Sequence, residues 1–166
     1  MKARDVMSSP VITVRPDTPV RAVAALLASH GYTAAPVVDA GRIIGIVTEA
    51  NLMRGQIPPE GWLRPGTWDK PIPQTVREVM TGAPVGMQPD ADLTDLVSLM
   101  LETGIRSMPI LDDGQLVGIV SRRDVLRVVA RGELTSEDVW RRRAGLPNGA
   151  GQVAPAEHRT ERASPR

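Results

Sequence analysis

Gly118-Ile119-Val120-Ser121-Arg122-Arg123-Asp124 and Gly45-Ile46-Val47-Thr48-Glu49-Ala50-Asn51 follow one pattern. Each has a glycine, two branched aliphatic residues, a hydroxyl residue, two variable positions and then Asp or Asn. They stand 73 residues apart, and the offset holds on both sides of them. Arg4 falls on Arg77, Val6-Met7 on Val79-Met80, and Pro16-Asp17 on Pro89-Asp90. Gly31 falls on Gly104, Pro36 on Pro109, Asp39 on Asp112 and Gly41 on Gly114. Residues 4–53 therefore recur as 77–126, and a repeat changes how every other feature is read. One unit is too small to bury a good core alone, so two copies are expected to pack together about a pseudo-two-fold axis. The cleft between them is the first place to look for function.

Each copy reads as β-α-β-β-α. In the first, a short helical turn spans Ala3–Met7 and a strand spans Val11–Val14. Thr18-Pro19 suits a helix start, with Thr as cap and Pro at the first helical position. Val20, Val23, Ala24 and Leu27 then form one apolar face, and Gly31 ends the helix. Ala35–Val38 and Ile43–Thr48 are short buried strands joined by a turn at Asp39–Arg42. A helix begins near Glu49. In the second copy the helix starts at Asp90 or Asp92, carries Leu93, Leu96, Val97 and Met100 inward, and ends at Gly104. Strands Met108–Leu111 and Leu116–Val120 flank the turn Asp112–Gln115, and a helix covers Arg122–Arg131. The class is α+β: two tandem β-α-β-β-α repeats with helices on one face of a small sheet.

The expected division is repeat one at 1–54, a loop at 55–75, repeat two at 76–131, a segment at 132–144 with a short helix at Ser136–Arg143 capped by Ser136, and a tail at 145–166 without periodicity. Hydrophobic residues form 42% of the 166, yet Phe is absent, so the core must be aliphatic. Without Cys there is neither a disulfide framework nor thiolate chemistry. The N-terminus meets charged residues too early for a signal peptide, and no apolar run is long enough for a membrane span. A soluble protein of the cytoplasm is expected. From Arg141 onward six Arg face two Glu, which leaves residues 1–140 at −3 within a net charge of +1. Nucleic-acid binding has no footprint in the body.

The two Gly-hydrophobic-x-Thr/Ser-x-x-Asn/Asp runs, the Pro-Val-Val-Asp…Gly stretch before the first and its counterpart before the second, and the Val-Met openings resemble the CBS domain. Two copies in register resemble a CBS pair, or Bateman module. The resemblance implies a disc-like pair that commonly dimerises and binds AMP, ADP, ATP or S-adenosylmethionine between its repeats, with no tightly held cofactor. It also implies a regulated protein in trans.

The residues suit such a ligand on physical grounds. Ser121 and Thr48 precede helices, whose free N–H groups and dipole favour an anion. Asp124 lies one turn on, and its carboxylate suits two hydrogen bonds from a ribose diol. Ile119, Ile12 and Tyr32 are candidates to sandwich adenine. Arg122 and Arg123 supply cations for phosphate. Thr33 is expected to face the same cleft, Arg106 to reach it from across, and Met7 and Met80 to line the two clefts symmetrically. In the other cleft Thr48, Asn51 and Ile46 are accompanied by Glu49, which repels phosphate. That site is expected to be weak, empty or suited to an uncharged nucleoside.

Simpler roles compete. Ser121 and Thr48 can be plain helix caps, Asp124 can pair with Arg127 at i+3, and His30 suits a helix C-terminus. Trp62 and Trp68 can pin the loop. An adenine-nucleotide sensor is the leading reading and a ligand-free dimerising scaffold the alternative. No nucleophile–base arrangement, metal-ligand spacing or P-loop favours an enzyme.

Overall fold

The computed structural model describes residues 1–57 and 72–134, together with Arg141, Ala144 and Gly145. Met1–Glu133 form one compact unit. Of a second unit, Leu134–Arg166, only Leu134, Arg141, Ala144 and Gly145 are described. Trp62, Trp68, Ser136, and all of the expected tail but Gly145 lie outside the described residues. Of the segment expected at 132–144, residues 132–134 are turn and bend, and of the helix expected within it at Ser136–Arg143 only Arg141, which is helical, is described.

Repeat one contains a 3-10 turn at Ala3–Asp5, α1 (Val20–His30), β1 (Ala34–Asp39), β2 (Arg42–Thr48) and α2 (Glu49–Gln56). Repeat two contains α3 (Val76–Val79), β3 (Thr81–Gly82), α4 (Leu93–Thr103), β4 (Ser107–Asp112), β5 (Gln115–Ser121) and α5 (Arg122–Ala130). The fold is α+β, two CBS-like repeats related by a pseudo-two-fold axis. Each hairpin, β1–β2 and β4–β5, is antiparallel and shifts register at the same relative place, Val37/Val38 and Ile110/Leu111. Continuously buried runs in β1 and β4, alternate buried positions in β2 and β5, and the Val20, Val23, Leu27 and Leu93, Leu96, Met100 stripes of α1 and α4 form the aliphatic core.

The hairpin turns use left-handed residues in pairs, Ala40-Gly41 (φ 46° and 78°) and Asp113-Gly114 (φ 46° and 79°). That is the geometry a two-residue connection needs to match strand twist. Ala40 adopts it at a steric cost that Asp113 largely escapes.

Three local expectations change. The strand at Val11–Val14 shrinks to one parallel bridge, Val14 to Val37, as Met87 to Ile110 does in repeat two. Pro10 and Pro16 bracket the segment and supply no N–H donor. Thr18 does not cap α1, because its Oγ1 accepts from the Arg15 amide at 3.1 Å. Pro19 takes the cap position instead, and Val20 donates to the Gln74 carbonyl at 2.9 Å. Asp92 stands at the start of α4 without a side-chain cap bond, in an ion pair with Lys2 at 3.2 Å.

Each repeat's opening segment is held by the other repeat. Ala3 and Arg4 donate to the carbonyls of Ala91 and Pro89 at 2.8 and 3.0 Å. Val76 and Arg77 donate to those of Thr18 and Pro16 at 3.0 and 2.9 Å. Ser8 exchanges two backbone bonds with Ile119, and Thr81–Gly82 joins the first sheet beside Ile46 and Gly45. Met7 and Met80 cross over with these segments. They do not line the clefts; each packs on the opposite repeat's glycine. A Cβ at Gly118 would stand 2.7 Å from Met7 Cγ, and one at Gly45 2.8 Å from Met80 Sδ.

Candidate functional site

The interlacing leaves two crevices between the repeats, with volumes of about 240 and 530 Å³. The smaller is bounded by the start of α5 (Ser121, Arg122, Arg123, Asp124), by Ile119 and Arg106 of repeat two, and by Ile12, Tyr32 and Thr33 of repeat one. Residues far apart in sequence thus meet at one wall pair, as the offset implied. The larger is bounded by Ile46, Thr48 and Glu49 of repeat one and by Thr81, Val85 and Ile105 of repeat two. Asn51 is not on its wall.

At the start of α5 the capping box is complete. Asp124 Oδ2 accepts from the Ser121 amide at 2.8 Å and from its hydroxyl at 2.6 Å, and the Asp124 amide donates back to Ser121 Oγ at 3.3 Å. Asp124 Oδ1 accepts from Arg127 Nη1 at 2.6 Å. Capping, ion pairing and a place on the cleft wall are therefore properties of the same residues. Asp124 is not a surface carboxylate, since only 7% of it is exposed. A carboxylate has roughly four lone-pair positions. Three are in use, so the two-bond grip on a ribose diol expected from sequence is reduced to one vacant acceptor position.

The cations divide by role. Arg122 donates through Nε to the Ile105 carbonyl at 3.1 Å and through Nη2 to the Met100 carbonyl at 2.8 Å. It clamps the C-terminal end of α4, where unpaired carbonyls favour a cation. Its guanidinium is therefore partly engaged with protein, while the residue still borders the smaller crevice. Arg123 reaches Gly31 of repeat one, with Nη1 3.4 Å from the carbonyl oxygen. Arg106 is exposed and borders both crevices. It belongs to the same repeat as Asp124 and does not reach that cleft from across. Arg127, not assigned to the site from sequence, also borders the smaller crevice. Its partner by the offset, Arg54, borders the larger. Both were legible as pairs at 73 residues, but side-chain direction was not.

Thr33 Oγ1 lies 3.2 Å from Ser107 Oγ, and both residues border both crevices. Tyr32 stacks on His30 with centroids 5.2 Å apart and planes at 20°. His30 Nδ1 lies 3.0 Å from the Leu26 carbonyl, so it ties this pair to the end of α1. That is the structural role expected of it.

In repeat one the same box is built from neutral groups. Asn51 Oδ1 accepts from the Thr48 amide at 3.0 Å and from its hydroxyl at 2.8 Å, and Nδ2 donates to Thr81 at 3.4 Å. Among the described residues no three His, Cys, Asp or Glu gather as a metal site, and no helix is long and apolar enough to cross a membrane.

The CBS domain profile matches residues 3–57 and 76–131. This chain belongs to the CBS domain family. It is 32% identical over 130 residues to the uncharacterized protein MJ0188 of Methanocaldococcus jannaschii, which takes in 76% of this chain and 43% of that one. It is 32% identical over 122 residues to the CBS domain-containing protein YhcV of Bacillus subtilis, 74% of this chain and 81% of that protein. The chain thus spans less than half of the first relative and most of the second. Among solved structures it is similar to CBSX2 in complex with AMP, a protein of Arabidopsis thaliana. There the TM-score is 0.66 and the identity 28%, over 80% of this chain and 98% of that one. The CBS domain of a membrane protein from Sphaerobacter thermophilus gives a TM-score of 0.59 at 34% identity, over 76% and 86%.

Proposed function

We propose that this CBS pair is a regulatory module that takes an adenosine-containing anion in the Asp124 cleft and relays its occupancy to a protein partner, acting as a cytoplasmic homodimer rather than as an enzyme. One observation carries the reading. A buried carboxylate, a helix N-terminus and two cations, Arg123 and Arg106, converge on a crevice walled by Ile12, Ile119 and Tyr32. The likeness to a protein solved with AMP supports it.

In this reading Asp124 Oδ1 accepts a ribose hydroxyl, and the first N–H groups of α5 with Arg123 and Arg106 face the phosphate. Ile12, Ile119 and Tyr32 cover the adenine. Thr33 and Ser121 fix the walls. Arg122 positions α5 through its hold on α4. AMP, ADP and ATP fit this charge better than the sulfonium of S-adenosylmethionine. The Thr48 cleft, with Ile46 and Glu49 on its wall and the neutral Asn51 in place of an aspartate, takes such a ligand poorly. Relay has a physical route, because Arg123 and the Thr33–Ser107 contact join the two repeats at the wall of this cleft.

Calorimetric titration of AMP, ATP and S-adenosylmethionine into the full chain tests this. Binding of a nucleotide that Asp124→Ala weakens at least about tenfold is expected; no binding by any of the three removes the reading.

The engaged state of Asp124 and Arg122 favours a second reading, a ligand-free scaffold for another protein. A melting temperature flat across a nucleotide panel, with a partner that co-purifies reproducibly, decides for it.

A further inference from the structure

We infer that Arg127 makes the Asp124 cleft selective for phosphorylated over unphosphorylated adenosine, by holding the carboxylate in competition with a ribose hydroxyl until a phosphate draws the guanidinium away. This rests on the nucleotide reading above and concerns which ligands that site accepts.

Arg127 lies one helical turn after Asp124 on α5, so the two side chains share a face. Its Nη1 donates to Asp124 Oδ1 at 2.6 Å, the one carboxylate oxygen not used by the Ser121 cap. The two partners differ in setting: the Asp124 side chain is 9% exposed, whereas that of Arg127 is 59% exposed. The acceptor is held in place by the Ser121 cap, whereas the guanidinium, exposed at the rim of the crevice, can turn about several single bonds. Arg127 also borders the crevice itself, so an anion seated there lies within its sweep.

The exchange is unequal for different ligands. One ribose hydroxyl fits the vacant position on Oδ1, but a nucleoside whose second hydroxyl takes the position held by Arg127 leaves the guanidinium with no anion in return. A nucleotide that does the same offers its phosphate to the displaced cation, so one charged pair replaces another. Repeat one supplies the contrast. Arg54 holds the equivalent position, but the residue three before it is the neutral Asn51, and among the described residues no ion pair joins the two. The latch therefore exists only where the acidic residue does.

Calorimetry with AMP and adenosine as the two probes tests this on the full chain. The variants are Arg127→Gln, Arg127→Lys, and Arg21→Gln on the outer face of α1 as a control for net charge. In Arg127→Gln the affinity ratio of AMP to adenosine is expected to fall about tenfold, with AMP weaker and adenosine unchanged or tighter. Arg127→Lys keeps the preference for AMP, and Arg21→Gln leaves the ratio as it was. Equal changes for both probes in Arg127→Gln, or no change in either, overturn the inference while the nucleotide reading stands. Wild-type protein that binds neither probe overturns both.

Discussion

The starts of α2 and α5 are the same device made twice, and they differ only in charge. Thr48–Asn51 and Ser121–Asp124 close identical capping boxes, so either satisfies its helix. Only the second leaves a buried negative charge beside a crevice ringed with arginines. The comparison teaches that the fold needs a hydroxyl and an acceptor oxygen three residues on, while a site for an anionic ligand needs something the fold does not. Asn serves the backbone as well as Asp does. It cannot hold Arg127's counterpart, and Glu49 puts a negative charge where Arg122 puts a positive one.

The repeats also differ in how they fill their cores, and this is where the largest effects are expected. Leu96 of α4 falls on Val23 of α1, and both are fully buried. Leu96→Ala should cost about 2–5 kcal/mol and Val23→Ala about 1–3 kcal/mol, since fewer carbons leave a smaller cavity. Urea denaturation of both variants checks this; equal losses would show that the two halves are packed alike despite their sequences.

The crossed methionines sharpen the same contrast. Gly118→Ala and Gly45→Ala should each destabilise by about 1–3 kcal/mol through overpacking. At Gly118 the nearest obstacles all belong to the Met7 side chain, whereas at Gly45 the Thr81 carbonyl oxygen also stands 2.9 Å from the new carbon. In double-mutant cycles Met7→Ala should rescue most of the Gly118→Ala loss, and Met80→Ala only part of the Gly45→Ala loss.

Glu49→Arg turns the first cleft toward the second in charge. It should strengthen AMP binding there about tenfold, and a second equivalent of bound AMP by calorimetry is the expected sign. A smaller gain is expected at the hairpins. Ala40→Asn should stabilise by about 0.5–1 kcal/mol, because Asn tolerates the left-handed backbone that Asp113 tolerates in repeat two.

The smallest effect concerns acid. Glu78 accepts from the Thr75 hydroxyl at 2.7 Å and from the Thr75 and Gln74 amides, and these bonds hold its carboxyl below the ordinary 4.5. A depressed folded value means a contribution present above pH 4.5 and lost as pH falls through the lower value. Wild-type and Glu78→Gln urea midpoints should therefore converge as pH drops below that range, and the gap above it should be slight because the group is exposed.

Much of this was written in the chain. The 73-residue offset revealed the repeat, the apolar spacing of α1 and α4 revealed their buried faces, and the glycine turns revealed the hairpins. The strand at Val11–Val14 failed because periodicity does not register the donors that flanking prolines remove. Thr18 failed as a cap because the Arg15 amide reached its hydroxyl first. The hold of Arg122 on α4 was not legible, because charge can be read from a sequence and its nearest carbonyl cannot.

By itself, then, the sequence determined two like halves, the caps of their closing helices α2 and α5, their aliphatic cores and the unequal charge of their two signature runs, all of which depend on local spacing and residue chemistry. Only the tertiary structure decided that each half clasps the other's opening segment, that Met7 and Met80 sit over glycines, and that Arg127 already grips the carboxylate a ligand would want. Those depend on which groups meet across long separations, and a competition for one oxygen atom is settled by distance.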